Sequence, residues 1–168
     1  MRERIKGVKQ NNSAIILIGS NISPEANIRR VIRKFSADFP INKISSTWET
    51  TPIGSHSSNF LNLAISIQTE LDPNNLKFNI LRKFELDLGR VRTDDKYAPR
   101  PMDLDIIVYN GIVIDANLWV RAYVALPVAE LAPELRHPIT GEKISKYAKR
   151  LQKDTFAVVR PKLKMKIE

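Results

Sequence analysis

The 168-residue chain has no cysteine, two histidines, two tryptophans and no apolar run near the roughly 20 residues that a bilayer demands. Without cysteine there is no disulfide framework, no thiolate zinc site and no thiol nucleophile. His56 and His137 lie far apart, with no His/Glu pair at metal-binding spacing, which argues against a zinc centre. A G-x-S-x-G elbow is missing, as is the G-K-[ST] ending that would make Gly19-Ser20-Asn21 part of a P-loop. The charged stretch Met1–Gln10 lacks the apolar centre of a signal peptide. The expectation is a cytoplasmic protein that engages no membrane.

Basic residues are plentiful: 27 Lys+Arg stand against 18 Asp+Glu, a net charge of +9. Residues 1–12 hold four basic groups and one acidic; residues 143–168 hold nine and two. The stretch between them, 13–142, has 14 basic and 15 acidic residues. The excess therefore sits at the two ends, in a basic tail at 1–12 and a basic segment at about 153–168, and a nucleic-acid partner is not expected for the body. The hydrophobic share of 43% suits one domain spanning 1–168. Oligomeric state is not legible.

The continuous apolar run Ala14–Ile18 reads as a buried strand. Ser23-Pro24 resembles an N-cap with proline in the first turn, leading into a helix whose apolar positions are Ile28, Val31, Ile32 and Phe35 and which ends near Pro40. Lys43–Glu49 reads as a strand, followed by a loop from Thr50 to about Ser58. Phe60–Glu70 reads as another, with Leu61, Leu63, Ile65 and Ile67 on one face. Asp72-Pro73 starts a second helix with the stripe Leu76, Ile80, Phe84 and Leu88, stopped by Gly89. Asp103–Tyr109 is a strand turned by Asn110-Gly111 into Ile112–Ile114. Short helices are predicted at Val128–Leu135 and Ile144–Leu151, and a strand at Thr155–Val159. The order predicts an α+β fold related to ferredoxin-like layers, a mainly antiparallel sheet with two helices packed on one face.

On a strand, Asp103 and Asp105 project to the same face with Cα atoms about 7 Å apart. Hard divalent ions such as Mg²⁺ take one or two such carboxylates and complete their shell with phosphate and water. Arg90, Arg92, Lys96 and Arg100 precede the pair within thirteen residues, a composition suited to metal and polyphosphate together. Simple mutual neutralisation at the surface is the alternative. The loop Thr50–Gly54, with Phe60 and Asn62 nearby, supplies backbone groups, an aromatic face and an amide to a flat heterocycle, or else only a turn and a core filler.

Several segments resemble the 6-hydroxymethyl-7,8-dihydropterin pyrophosphokinase family. These are Leu17-Ile18-Gly19-Ser20-Asn21, Trp48-Glu49-Thr50-Thr51-Pro52-Ile53-Gly54 and Phe60-Leu61-Asn62-x-Ala64. Further on come Glu85-x-x-Leu88-Gly89-Arg90-x-Arg92, Pro99-Arg100-x-x-Asp103-Leu104-Asp105-Ile106, and Leu131-Ala132-Pro133-Glu134-Leu135 with His137-Pro138. The resemblance covers about residues 14–142 and implies transfer of pyrophosphate from ATP to the pterin alcohol in folate biosynthesis. It implies that Asp103 and Asp105 hold two Mg²⁺ ions and that Arg90 and Arg100 steady the phosphates. Glu85, Arg92, Lys96, Ile106 and Arg121 would complete the nucleotide side. Thr50, Pro52, Ile53 and Gly54 would line the pterin pocket, Asn62 would read the pterin amide edge, and Phe60 and Tyr123 would cover its two faces.

The chain also departs from the family. Where the family runs through P-H-x-x-x-x-x-R after its hairpin, Ile114–Arg121 passes straight through, about eight residues shorter. Tyr97 stands in place of tryptophan, Ala98 in place of glycine, and Trp48 in place of tyrosine, while Pro101 follows Arg100 and favours an extended conformation there. Two further readings thus stand beside the enzyme: a catalytically weakened pterin- or nucleotide-binding protein, and a polyanion binder using the basic ends.

Overall fold

The computed structural model describes residues 11–54 and 56–161. Most of both basic ends, residues 1–10 and 162–168, lies outside the described residues.

Among the described residues seven strands form one sheet: β1 (Asn12–Ser20), β2 (Ile41–Ile44), β3 (Trp48–Thr50), β4 (Phe60–Thr69), β5 (Asp103–Tyr109), β6 (Ile112–Val113) and β7 (Ala157–Val159). Their order is β6-β5-β1-β4-β3-β7, with β2 also paired to β4, and every pairing described is antiparallel. The apolar run read at 14–18 is thus the central strand, as its lack of polar alternation requires. The segment expected as one strand at 43–49 is two short ones. Ser45 interrupts it, its hydroxyl accepting from the Ala64 N–H at 2.9 Å. Asn110 and Gly111 both take positive φ, 47° and 77°, the conformation a type I′ hairpin demands.

Alternation splits the sheet into two faces. One carries Ala14, Ile16, Ile18, Leu61, Leu63, Ile65, Ile67, Leu104 and Ile106, all buried against α1 (Pro24–Asp38) and α2 (residues 73–87). Ser23 does not cap α1 with its side chain: it sits at φ 42°, and Asn27 instead ties the turn by donating to the Ile22 carbonyl at 2.8 Å. In α2 the cap is as expected, Asp72 accepting from the Asn75 N–H at 3.0 Å. Its middle, Leu76–Leu81, is a π-helix, so the stripe steps from Leu76 to Leu81 and leaves Ile80 at the margin.

The opposite face is also covered, contrary to the expectation of helices on one side only. α3 (Ala122–Leu131), α4 (Ile144–Lys153) and a short 3-10 turn (Ala116–Trp119) pack on Leu17, Ala64, Ile107 and Val108. α3 begins six residues before the expected start at Val128 and ends before Pro133. Trp119 is buried here, and the Trp48 indole donates to Glu130 at 2.7 Å. Among the described residues no helix is long and apolar enough to cross a membrane.

Candidate active site

Toward one end of the second face the apolar cover stops. The register places Gly19 opposite Asn62 of β4 and opposite Asp103 of β5, so Asn62, Gly19 and Asp103 form one row across three strands. The next row is Ala64, Leu17 and Asp105. Glycine keeps the floor low: a Cβ at Gly19 would lie 2.9 Å from Asn62 Oδ1. Over these rows opens a cleft of about 440 Å³, walled by Thr50–Ile53, Phe60, Lys96, Tyr97, Arg100, Arg121 and Tyr123.

Of the expected heterocycle residues, Thr50, Pro52, Ile53, Phe60, Asn62 and Tyr123 all line this cleft. Asn62 and Thr50 are each only 2% exposed, and the Asn62 amide donates to Thr50 Oγ1 at 2.9 Å, which fixes the amide's orientation. Gly54 takes φ 70° and lies beneath Tyr97, whose ring closes over the loop. Burial, followed by the negative charge of Asp103, pushes the Tyr123 hydroxyl above its ordinary range, so it remains a neutral hydrogen-bonding group.

Of the residues expected on the phosphate side, Lys96, Arg100, Asp103, Asp105 and Arg121 line the cleft, whereas Glu85, Arg90, Arg92 and Ile106 do not. Ile106 turns its side chain into the α1/α2 core. Glu85, 2% exposed, organises the other two from below: its carboxylate accepts from Arg90 at 2.6 Å, from Arg92 at 3.0 Å and from the Leu104 N–H at 2.9 Å. Gly89 makes this possible. At φ 86° it closes α2, its N–H bonding to the Leu86 carbonyl and that of Arg90 to the Glu85 carbonyl, so the chain reverses and Arg90 returns over Glu85.

Arg90 and Arg100 then grip opposite oxygens of Asp103. Burial alone would raise the Asp103 carboxyl, but the two guanidinium groups outweigh it and hold the group below the usual carboxylate range. Asp105 is displaced upward, first by burial and then by the charge of Asp103; the Lys77 ammonium at 2.7 Å opposes this. Asp105 Oδ2 receives no hydrogen bond among the described residues, and the side chain is 40% exposed. Asp105 Oδ2 is thus the carboxylate oxygen of the pair open to a hard, magnesium-type ion that would complete its shell with phosphate and water, and Asp103 would join it by turning an oxygen away from Arg90 or Arg100. Among the described residues no cluster of three acidic or histidine side chains could supply a full protein shell.

Three contributors were missed by sequence reasoning. Lys77 lies beside Leu76 within α2 and belongs to no motif. Asn117 enters the cleft wall from the 3-10 turn. Asn21, in the Gly-Ser-Asn segment, joins the loops: its side chain accepts from the Arg100 N–H at 2.7 Å and donates to Ser57 and to the Ser58 carbonyl.

A model of the 7,8-dihydro-6-hydroxymethylpterin-pyrophosphokinase family matches residues 15–133, the strands and loops that build the cleft. The chain belongs to that family. A pyrophosphokinase of this family from Bacillus subtilis is 31% identical over 160 residues, covering 88% of this chain and 95% of its own. One from Methylorubrum extorquens is 33% identical over 143 residues, covering 78% and 88%. Both are named 2-amino-4-hydroxy-6-hydroxymethyldihydropteridine pyrophosphokinase. Among solved structures, the Plasmodium falciparum HPPK-DHPS with pteroate superposes with a TM-score of 0.64 at 12% identity, over 87% of this chain and 43% of that one. That likeness shows the fold, and the pyrophosphokinase-like chain spans less than half the length of that protein.

Proposed function

We propose that the cleft transfers pyrophosphate from ATP to 6-hydroxymethyl-7,8-dihydropterin, releasing AMP, in cytoplasmic folate biosynthesis. The observation that carries this is the single sheet row bearing Asn62 at one side and Asp103 at the other, with Asp105 in the next row. The pterin alcohol oxygen bonds to the β-phosphorus of ATP, the bond from the α–β bridging oxygen to that phosphorus breaks, and the hydroxyl proton passes to water.

The protein's part is alignment. Asn62, held by Thr50, presents its amide oxygen to the pterin ring N–H groups, while Phe60 and Tyr123 bound the ring. Arg100, Lys96 and Arg121 neutralise the phosphates, and Arg90, fixed by Glu85, keeps Asp103 ionised and oriented. Asp103 and Asp105 would hold two Mg²⁺ ions, which when bound would neutralise the phosphates and polarise the reacting phosphorus. No strong general base is required, since positioning and charge stabilisation dominate phosphoryl transfer.

The test is AMP formation by the purified protein with ATP, Mg²⁺ and the pterin alcohol. Asp105→Asn should lower turnover at least a hundredfold while circular dichroism stays unchanged. Absence of AMP in a wild-type protein that binds the pterin normally would sink the enzymatic reading. The short segment 114–121 favours one second reading, a pterin-binding protein with weakened ATP affinity. Titration with ATP and Mg²⁺ separates the two.

A further inference from the structure

At the level of Asp103–Asp105, strand β5 has a backbone partner on one side only. β1 pairs along it, but β6 reaches only Val108 and Tyr109. On the open side the backbone of Leu104 meets side chains from α2. Its N–H donates to Glu85 at 2.9 Å, and its carbonyl accepts from the Lys77 ammonium at 2.7 Å. The same ammonium donates to Asp105 Oδ1, also at 2.7 Å. Lys77 is therefore pinned by a backbone carbonyl as well as by the carboxylate, and it leaves only Oδ2 of Asp105 open to an incoming ion.

Charge balance gives this a consequence. Asp103, Asp105 and Glu85 contribute three negative charges; Arg90, Arg100, Lys77 and the more exposed Arg92, all in direct contact with them, contribute four positive ones. A free divalent cation meets no net negative charge here. One complexed by a polyphosphate brings its own.

We propose that Lys77 is a specificity-determining residue of the divalent-ion site. It is a built-in cation that suppresses binding of the free ion at Asp105 and makes uptake depend on the nucleotide-bound form. The inference rests on Asp103 and Asp105 being metal ligands. It differs from a merely structural role for Lys77, because removing the charge should tighten metal binding instead of weakening it.

The test uses Mn²⁺ as a spin probe, its free signal titrated with the full-length protein, with and without a non-hydrolysable ATP analogue. Lys77→Gln keeps a donor for the Leu104 carbonyl but loses the charge, and it should bind nucleotide-free Mn²⁺ roughly tenfold tighter than wild type. That is the scale on which one charge a few ångströms away shifts a carboxylate equilibrium. Lys77→Met should behave likewise, and Lys77→Arg should match the wild type. The gain should vanish in Lys77→Gln combined with Asp105→Asn. Equal or weaker Mn²⁺ binding by Lys77→Gln overturns the inference while leaving the metal reading intact. If Mn²⁺ binds none of the proteins even with the nucleotide analogue, the metal reading of Asp105 falls, and this inference with it.

Discussion

Glu85 offers the sharpest test of how the site is held together. It is 2% exposed, and one oxygen serves both the Leu104 N–H and Arg90 while the other serves Arg92. The Arg92 contact is half exposed and contributes little. Glu85→Ala removes the acceptor for a buried backbone N–H, a loss of about 1–3 kcal/mol. It also strips one partner from Arg90, whose side chain is 10% exposed, and breaking a buried pair typically costs about 3–5 kcal/mol in all. The two overlap, so about 3–5 kcal/mol is expected for the whole. Glu85→Gln keeps an oxygen for Leu104 and Arg90 but loses the charge and the exposed Arg92 contact, which contributes little, so about 1–2 kcal/mol is expected, charge-assisted bonds being roughly twice as strong as neutral ones. Urea unfolding followed by tryptophan fluorescence and circular dichroism reads both. Equal losses for Gln and Ala would refute the separation of acceptor from charge. Losses under about 0.5 kcal/mol for both would refute the central position given to Glu85.

Two further outcomes follow from the geometry. Gly54→Ala places a side chain at φ 70°, where L-residues are strained by about 1–2 kcal/mol, and sets its Cβ 2.7 Å from the Tyr97 ring. Urea stability should fall by about that amount and pterin affinity should drop severalfold; unchanged pterin binding would show that Tyr97 does not bound the pocket. The two aspartates also predict opposite pH behaviour. Asp103 has a lowered folded pKa, so the stability it contributes is present above its unfolded value of about 4 and is lost as pH falls through the lower folded value. Asp105 has a raised folded pKa, so its ionised form destabilises the fold at neutral pH and that penalty disappears in acid. Asp105→Asn should therefore be more stable than wild type at pH 7, with the advantage gone below about pH 4. An Asp105→Asn protein less stable than wild type at pH 7 would contradict this.

The strands and the first two helices were legible because burial on one face writes itself as period: Leu61, Leu63, Ile65 and Ile67 alternate, and Ile28, Val31, Ile32 and Phe35 recur helically. α3 was obscured for the converse reason. Buried at Ala122, Val124, Ala125, Leu126 and Val128, it is apolar on most sides and shows no polar stripe, and Pro127 inside it reads as a helix breaker. The π-helical turn of α2 left no mark, since Leu76, Ile80, Phe84 and Leu88 satisfy an ordinary α-helical stripe equally well. In the site, motif spacing located Asp103, Asp105 and the arginines. It did not show that Arg90 acts through Asp103 from beneath the cleft, or that Lys77 reaches the strand edge, because both depend on packing between distant segments.

The row Asn62–Gly19–Asp103 has a metrical consequence. Neighbouring strands stand about 4.8 Å apart, so the two functional residues at its ends are separated by two strand spacings, roughly 10 Å between backbones. That interval is fixed by hydrogen bonds in the middle of the sheet and not by the loops above it. On the function proposed above the sheet thus works as a ruler: it sets the interval between the pterin and phosphate sides independently of the loops 50–54 and 96–100.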